Sequence, residues 1–170
     1  PVFRERIQRW TGMRGNRTER PGRVQLLFRS GLYYFLESLG LVTHDGKSNR
    51  GPRALWSAPR DAVVGFLQAL FTADGTVNIS DRARTCTVRL ASSEPELLRQ
   101  VQVLLHNFGI AGRIRLRREA HTKAMPDGHG GMKEYACRAQ YELILDKVNR
   151  DRFLRDIGFL TAAKQEKARA

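Results

Sequence analysis

The sequence predicts an α+β fold built around an antiparallel sheet, and three observations support this prediction. Apolar residues recur at helical spacing in some segments and alternate with polar residues in others. Short polar or glycine-containing breaks separate these segments. A stretch near each end of the chain also matches the other, residues 35–43 with residues 153–161, which indicates a duplicated architecture.

The first part of the chain, residues 1–56, is predicted to be the later part of a first repeat. A helix is expected at 2–10, followed by an Arg-rich connection, a strand at 24–28 and a short helix that ends at Gly40. No counterpart of the opening helix of the second repeat precedes these elements. We therefore expect an incomplete first repeat whose head lies outside this chain.

Residues 57–170 are predicted to form a complete second repeat. Its first helix is expected to have Ser57 as its cap and Pro59 in its first turn, and to run to Ala73. The order is helix, two strands, helix, two strands, helix, and the elements after the first helix are expected at 76–80, 84–90, 94–108, 112–118, 134–145 and 151–157. At 170 residues and 41% hydrophobic content, both repeats are expected to share one domain, residues 1–170.

The charge balance predicts a polyanionic partner. Lys and Arg number 30 against 17 Asp and Glu, a formal charge of +13. No apolar run is long enough for a membrane span, so we expect no membrane partner and a cytoplasmic location.

Cysteine and histidine spacing argues against a zinc site. Cys86 and Cys137 lie in strand-like segments without a Cys-x-x-Cys partner, and we expect both to be reduced core thiols. His121, Asp127 and His129 fit no zinc spacing and are assigned to a glycine-rich loop between strands.

The most informative segment is the helix that ends in Asp74-Gly75. Gly65, Ala69 and Ala73 recur every four residues and would form one smooth ridge, along which another helix could approach closely. Asp74 would lie at the negative end of this helix, where the helix dipole adds to the attraction of a carboxylate for a cation. Gly75 is expected to end the helix in the left-handed conformation. The alternative is an ordinary buried helix with an exposed Asp-Gly turn.

Residues 64–75 as a whole resemble the LAGLIDADG dodecapeptide of homing endonucleases, most closely those carried by inteins. Residues 97–109 and 157–160 look similar to inteins found in ribonucleotide reductases. The resemblance implies αββαββα repeats, a curved antiparallel sheet that binds DNA, and two motif helices that pack at a pseudo-two-fold axis. In such proteins the acids at the ends of the two helices bind the divalent ions that cut DNA.

The resemblance also assigns roles to individual residues. Asp74 would bind Mg²⁺ with its carboxylate and Ala73 with its backbone carbonyl, in a two-metal site shared with a second motif helix absent from this chain. Lys164 and Lys47 match the positions of basic residues that stabilise charge near the scissile phosphate, although either could be a solvated surface lysine. With one of two acids, this fragment alone is not expected to cut DNA.

Strand alternation predicts the DNA-binding face. Arg113, Arg115 and Arg117 would project from one side of a strand, where Arg side chains can contact guanine edges and phosphates. The remaining candidates on neighbouring strands are Thr76, Asn78, Ser80, Thr85, Thr87, Arg89, Arg138 and Gln140. An ordinary solvated sheet face is the competing interpretation.

Taken together, the sequence predicts an intein-encoded, site-specific endonuclease domain that hydrolyses double-stranded DNA with a divalent metal. Its partners would be duplex DNA and the rest of an intein precursor or host protein. One alternative is a catalytically inactive module of the same fold that binds DNA or RNA, as in maturases or transcription regulators. Another is a basic face that docks an acidic protein.

Overall fold

The computed structural model describes residues 2–21, 23–38, 51–80, 82, 84–128 and 130–169. The chain divides into two compact units. The first comprises residues 1–48 and 52–54, and the second comprises residues 49–51 and 55–170. The change of unit therefore falls close to the predicted repeat boundary after residue 56.

The described residues of the first unit form two helices and a hairpin, in the order α1 (Val2–Thr11), β1 (Asn16–Arg20), β2 (Arg23–Leu27) and α2 (Ser30–Ser38). The strands β1 and β2 are antiparallel, and their register runs from the pair Asn16 and Leu27 to the pair Arg20 and Arg23. The prediction of an Arg-rich connection missed β1. All five residues of β1 are polar and exposed, so the strand depends on backbone pairing and shows no hydrophobic alternation.

The described residues of the second unit form one main sheet, one hairpin and four α-helices, which follow a 3-10 turn at Arg53–Trp56 in chain order. Its elements are α3 (Arg60–Ala73), β3 (Gly75–Ser80), β4 (Thr85–Ser92), α4 (Pro95–His106), β5 (Arg113–Arg118), β6 (His121–Pro126), β7 (Met132–Cys137), β8 (Gln140–Asp146), α5 (Lys147–Asp156) and α6 (Ala162–Arg169). The main sheet is antiparallel with strand order β3-β4-β8-β5, and β6 pairs with β7 separately. This is the predicted α+β architecture.

The core lies between one face of the main sheet and the helices. The sheet contributes Val77, Val88, Leu90, Leu143 and Leu145, and the helices contribute Val63, Leu67, Phe71, Leu98, Val101, Leu104, Leu105 and Phe153. Phe153 is fully buried, with its ring centroid 4.8 Å from that of Phe71 and 5.3 Å from that of Phe159. Since one sheet face is covered by helices, the other is left for polar side chains.

The start of α3 differs from the prediction. Ser57 does not cap the helix, because the helix begins at Arg60 and Pro59 occupies the N-cap position without a side-chain hydrogen bond. The positive end of the helix dipole is instead stabilised by Asp61 in the first turn.

The segment predicted as a single strand at 134–145 forms two strands. β7 ends at Cys137 and β8 begins at Gln140, and the predicted glycine-rich loop before them contributes β6 to a hairpin with β7. Asp127 lies in the turn of this hairpin, where its carboxylate accepts a hydrogen bond of 2.9 Å from the Gly131 amide. Cys137 is consequently partly exposed on the hairpin, whereas Cys86 is buried in the core, and both are free thiols.

The final helix α6 was not predicted, because its polar sequence shows little apolar periodicity. The strand-then-helix order of the internal match is present in both halves, as β2 followed by α2 and as β8 followed by α5. Residues 39–43 of the first copy lie outside the described residues. Across the described residues, every helix is too short or too polar to cross a membrane.

Candidate functional site

The predicted small-residue ridge lies on the exposed side of α3. Gly65, Ala69 and Ala73 are all exposed, whereas Val63, Leu67 and Phe71 on the opposite side are buried. Apart from the adjoining residues and nearby backbone of α3 itself, no described atom lies within 4 Å of a Cβ built on Gly65. The ridge is therefore an open, smooth surface on which a second helix could pack closely.

Asp74 ends α3 and immediately precedes the sheet. Its backbone N–H donates to the Leu70 carbonyl at 2.9 Å, and its side chain is exposed. β3 begins at the next residue, Gly75. The candidate metal ligand is thus joined directly to the first strand of the sheet.

Gly75 is required at this junction for a reason that differs from the prediction. It is absent from the residues with positive φ, so the expected left-handed conformation is wrong. A Cβ at Gly75 would instead lie closer than 3.0 Å to the Phe71 carbonyl oxygen. The strand leaves the helix so tightly that the close approach of the two backbones excludes any side chain.

Lys164 lies at the same end of α3 as Asp74. Its ammonium group donates to the carbonyl oxygens of Thr72 at 2.5 Å and Gly75 at 2.7 Å. The Leu160 amide adds a hydrogen bond of 2.9 Å to the Thr72 hydroxyl. α6 and the segment before it therefore place a cation against the negative end of the helix, on both sides of Asp74 in sequence.

This end of α3 offers oxygen donors of the kind that Mg²⁺ prefers, namely an exposed carboxylate and the last carbonyls of a helix. Within the described part of the chain, no three residues among His, Cys, Asp and Glu cluster as a metal site would require. A single carboxylate fits a site completed by ligands from a second helix and by phosphate oxygens, and does not fit a self-contained metal centre.

The predicted polar face extends across the main sheet, with Ile144 as an apolar residue within it. The register pairs Thr76 with Arg89, Asn78 with Thr87 and Ser80 with Thr85. Across the other strands, Thr87 is opposite Asp146, Arg113 is opposite Ile144, and Arg115 is opposite Glu142. Because directly opposed residues project to the same side, the predicted polar residues of β3, β4 and β5 share one face, opposite the helices.

A register shift in β5 extends this face. The pairing changes between Leu116 and Arg118, and Arg118 is opposite Gln140. The irregularity lies at Arg117, which nevertheless reaches the Glu142 carboxylate on the same face. The strict alternation expected for β5 thus ends in a bulge that adds a fourth arginine to the surface.

Glu142 lies at the centre of the polar face and was not singled out from the sequence. Its side chain is only 4% exposed, and its carboxylate forms ion pairs with three guanidinium groups. The partners are Arg115 at 3.2 Å, Arg117 at 3.2 Å and Arg89 at 3.5 Å. An acid in the middle of a largely apolar strand was a usable signal, but its partners depend on strand register, which the sequence alone does not specify.

Arg138 does not lie on a strand as predicted. It is in the connection between β7 and β8, and its guanidinium donates to the Glu94 carboxylate at 2.7 Å, just before α4. The polar face is therefore continued by Gln140 on β8, while Arg138 is held at the start of α4. Lys47 and His129 lie outside the described residues.

A cationic concavity of about 380 Å³ opens where β4 begins, at the end of the sheet away from Asp74. Its basic lining residues are Arg84, Arg89, Arg113, Arg115, Lys147 and Arg150. The charge of this lining suits an anionic group such as a phosphate.

Residues 61–158 match the family model described as a LAGLIDADG-like domain. The ribonucleoside-diphosphate reductase NrdEB subunit alpha of Bacillus subtilis (strain 168) is 29% identical over 137 residues, which cover 79% of this chain and 12% of the reductase. A DNA polymerase of Thermococcus hydrothermalis is 34% identical over 120 residues, which cover 71% of this chain and 6% of the polymerase. The chain thus spans a small fraction of the curated relatives that it matches.

Solved structures of the homing endonuclease I-DmoI have a similar fold. A structure of its mesophilic variants aligns with a TM-score of 0.57 and 17% identity over 92% of this chain and 65% of that chain. A structure of I-DmoI in complex with DNA and Ca aligns with a TM-score of 0.55 and 18% identity over the same shares. The predicted fold is confirmed, and the chain belongs to the LAGLIDADG-like domain family.

Proposed function

We propose that this chain is part of an intein-borne homing endonuclease that cuts double-stranded DNA with a divalent metal. The observation that carries the proposal is the junction at Asp74. An exposed carboxylate ends a helix with a bare small-residue ridge, and the first strand of the sheet begins at the following residue.

The ridge supports the first step of the proposal, pairing with a second motif helix. Gly65, Ala69 and Ala73 would let the two backbones approach closely, as small residues do where helices pack tightly. Such pairing would bring a second acid near Asp74. The completed site would then hold two carboxylates between two sheets.

Asp74 and the Ala73 carbonyl would hold Mg²⁺ at this site. When bound, the metal neutralises charge on the scissile phosphate and activates water. Lys164 would orient the end of α3 through its bonds to Thr72 and Gly75, and would add positive charge beside the phosphate. Lys47, matched to the first repeat, is proposed for the corresponding position there.

The polar face would bind the duplex. The predicted DNA-contacting residues on this face are Thr76, Asn78, Ser80, Thr87, Arg89, Arg113, Arg115, Arg117 and Gln140. Arg138, which was also predicted, lies in the connection between β7 and β8. A net charge of +13 would attract the phosphate backbone, and guanidinium groups on strands would read base edges in the major groove. I-DmoI, which has a similar fold, is found in complex with DNA, and this supports the same partner for this chain.

The intein assignment is supported by the kinds of protein that contain related segments. A reductase and a polymerase have different activities, yet each contains a short segment similar to this chain. A mobile insert accounts for this distribution better than a shared enzymatic role. The similarity to the reductase favours a host of that kind.

The proposal is tested with Asp74→Asn in the full-length parent protein, assayed for cleavage of plasmids that carry a randomised duplex insert, with Mg²⁺ present. We expect cleavage to be abolished while duplex binding is retained, because the substitution removes a metal-binding charge and preserves shape. Asp61→Asn is the matched control, since Asp61 is exposed in the first turn of the same helix. Equal cutting by the parent and Asp74→Asn would refute the metal-binding role.

The same assay distinguishes the alternatives. A parent that binds duplex tightly and never cuts it would be a binding module of this fold. Affinity for DNA should fall with salt with a logarithmic slope of about 0.9 per phosphate contacted. A flat salt response would instead favour a basic face that docks a protein.

A further inference from the structure

We propose that Glu142 is a positioning residue that aims Arg89, Arg115 and Arg117 at the bound duplex and thereby determines sequence discrimination. The inference rests on the proposed DNA-binding function. An acid in the middle of a surface meant for a polyanion lowers attraction, so its presence there calls for a physical reason. The contacts of its carboxylate provide that reason.

Burial shows that Glu142 is held by its partners. A carboxylate that is 4% exposed is costly without charged or hydrogen-bonding partners, and the three guanidinium groups provide them from two different strands. Arg115 approaches one carboxylate oxygen with both Nε and Nη2, at 3.4 and 3.2 Å. Arg117 approaches the other oxygen with Nε at 3.2 Å.

These contacts restrain the orientation of the guanidinium groups while leaving part of each side chain exposed for a ligand. Arg115 and Arg117 use the Nε side of the guanidinium, and their side chains remain 49% and 54% exposed. Arg89 is further oriented by donating to the Thr87 hydroxyl at 3.0 Å. The planar forks of Arg115 and Arg117 are thus restrained on the Nε side while about half of each side chain stays exposed. Arg89 is held at both Nε and Nη1, and its side chain is 23% exposed.

Restraint of this kind favours discrimination over raw affinity. A flexible arginine loses side-chain entropy when it binds and adapts to many sequences, whereas a prealigned fork matches only certain base edges. Glu142 and its three arginine partners together have a net charge of +2, against +3 for the arginines alone. The chain therefore gives up some attraction to phosphate and gains defined geometry.

The test compares Glu142→Gln with the unmodified chain on a pool of duplexes of random sequence, by selection and sequencing of bound DNA across a salt series. Glu142→Gln keeps the side-chain shape and removes the charge. We expect affinity for an arbitrary duplex to stay equal or rise, while the ratio between selected and arbitrary sequences falls about tenfold or more, the worth of one well-aimed bidentate contact. Glu96→Gln, at an exposed acid on α4, is the control with the same charge change.

A second variant covers the case in which Glu142→Gln does not fold. The double substitution Arg115→Lys with Arg117→Lys keeps every charge and removes the forks, and it should lose discrimination with an unchanged salt slope. Retained discrimination in the variant that folds would overturn the role of Glu142 while leaving DNA binding intact. If the unmodified chain fails to bind duplex DNA at all, the proposed function and this inference both fail.

Discussion

The two glycines of the segment 64–75, Gly65 and Gly75, should respond in opposite ways to substitution by alanine. Gly65 lies in the interior of α3, and a Cβ there meets no described atom within 4 Å. Gly75 lies where β3 leaves the helix, and a Cβ there would be less than 3.0 Å from the Phe71 carbonyl oxygen. Alanine should therefore be favourable at the first position and unfavourable at the second.

The expected changes in the free energy of unfolding follow from helix propensity at Gly65 and from steric overlap at Gly75. Gly65→Ala should raise the free energy of unfolding of this chain by about 0.5–1 kcal/mol, because alanine loses less backbone entropy in a helix interior. Gly75→Ala should lower it by about 1–3 kcal/mol, since backbone must move to admit the methyl group. Equilibrium urea denaturation of the two variants and the unmodified chain measures both differences under one condition.

In the parent protein, Gly65→Ala should be unfavourable for cleavage, although it stabilises this chain. If a second helix packs on the ridge there, the same methyl group would separate the two backbones and slow cleavage. A destabilised chain with Gly65→Ala, or a Gly75→Ala chain as stable as the original, would refute the assigned geometry of α3. Faster or unchanged cleavage by the Gly65→Ala parent would refute helix pairing at the ridge while leaving that geometry intact.

Two further substitutions probe the support of the site. Lys164→Met should lower stability by about 1–3 kcal/mol, because it removes charged hydrogen bonds to two carbonyls, and should slow cleavage by the parent; Lys167→Met on the exposed side of α6 is the control. Phe153→Ala should cost about 3–5 kcal/mol in urea denaturation, since it empties a fully buried position between two other phenylalanines; a loss below about 1 kcal/mol would contradict the described core.

The elements predicted well from the sequence are those in which the polarity of each side chain matches its burial. α4 has apolar residues at helical spacing, and Leu98, Val101 and Leu105 are buried as that spacing predicts. β4 alternates from Thr85 to Leu90, where its apolar residues face the core while its polar residues face away. In these segments the hydrophobic periodicity follows the burial, so the pattern was sufficient to predict the type of element and its buried face.

The features that were missed depend on partners distant in sequence. β1 and β6 exist through backbone pairing with their hairpin neighbours, which leaves no hydrophobic pattern. The role of Glu142 depends on its register against β4 and β5. The need for glycine at position 75 depends on how closely two backbones approach, and the motif suggested the wrong cause for the right residue.

The direct junction between α3 and β3 links the proposed chemistry to the proposed recognition. Because Gly75 follows Asp74 without a loop, the position of the acid is fixed relative to the first strand of the polar face. At about 3.3 Å per residue, the six residues of β3 extend about 20 Å, roughly the length of six base pairs along a duplex. A sheet fixed in this way would hold about six base pairs, on one side of Asp74, at a constant position relative to that acid. The recognised sequence would then determine which bond is cleaved. Any substitution that makes the junction between α3 and β3 less rigid should make the position of cleavage variable before it abolishes cleavage.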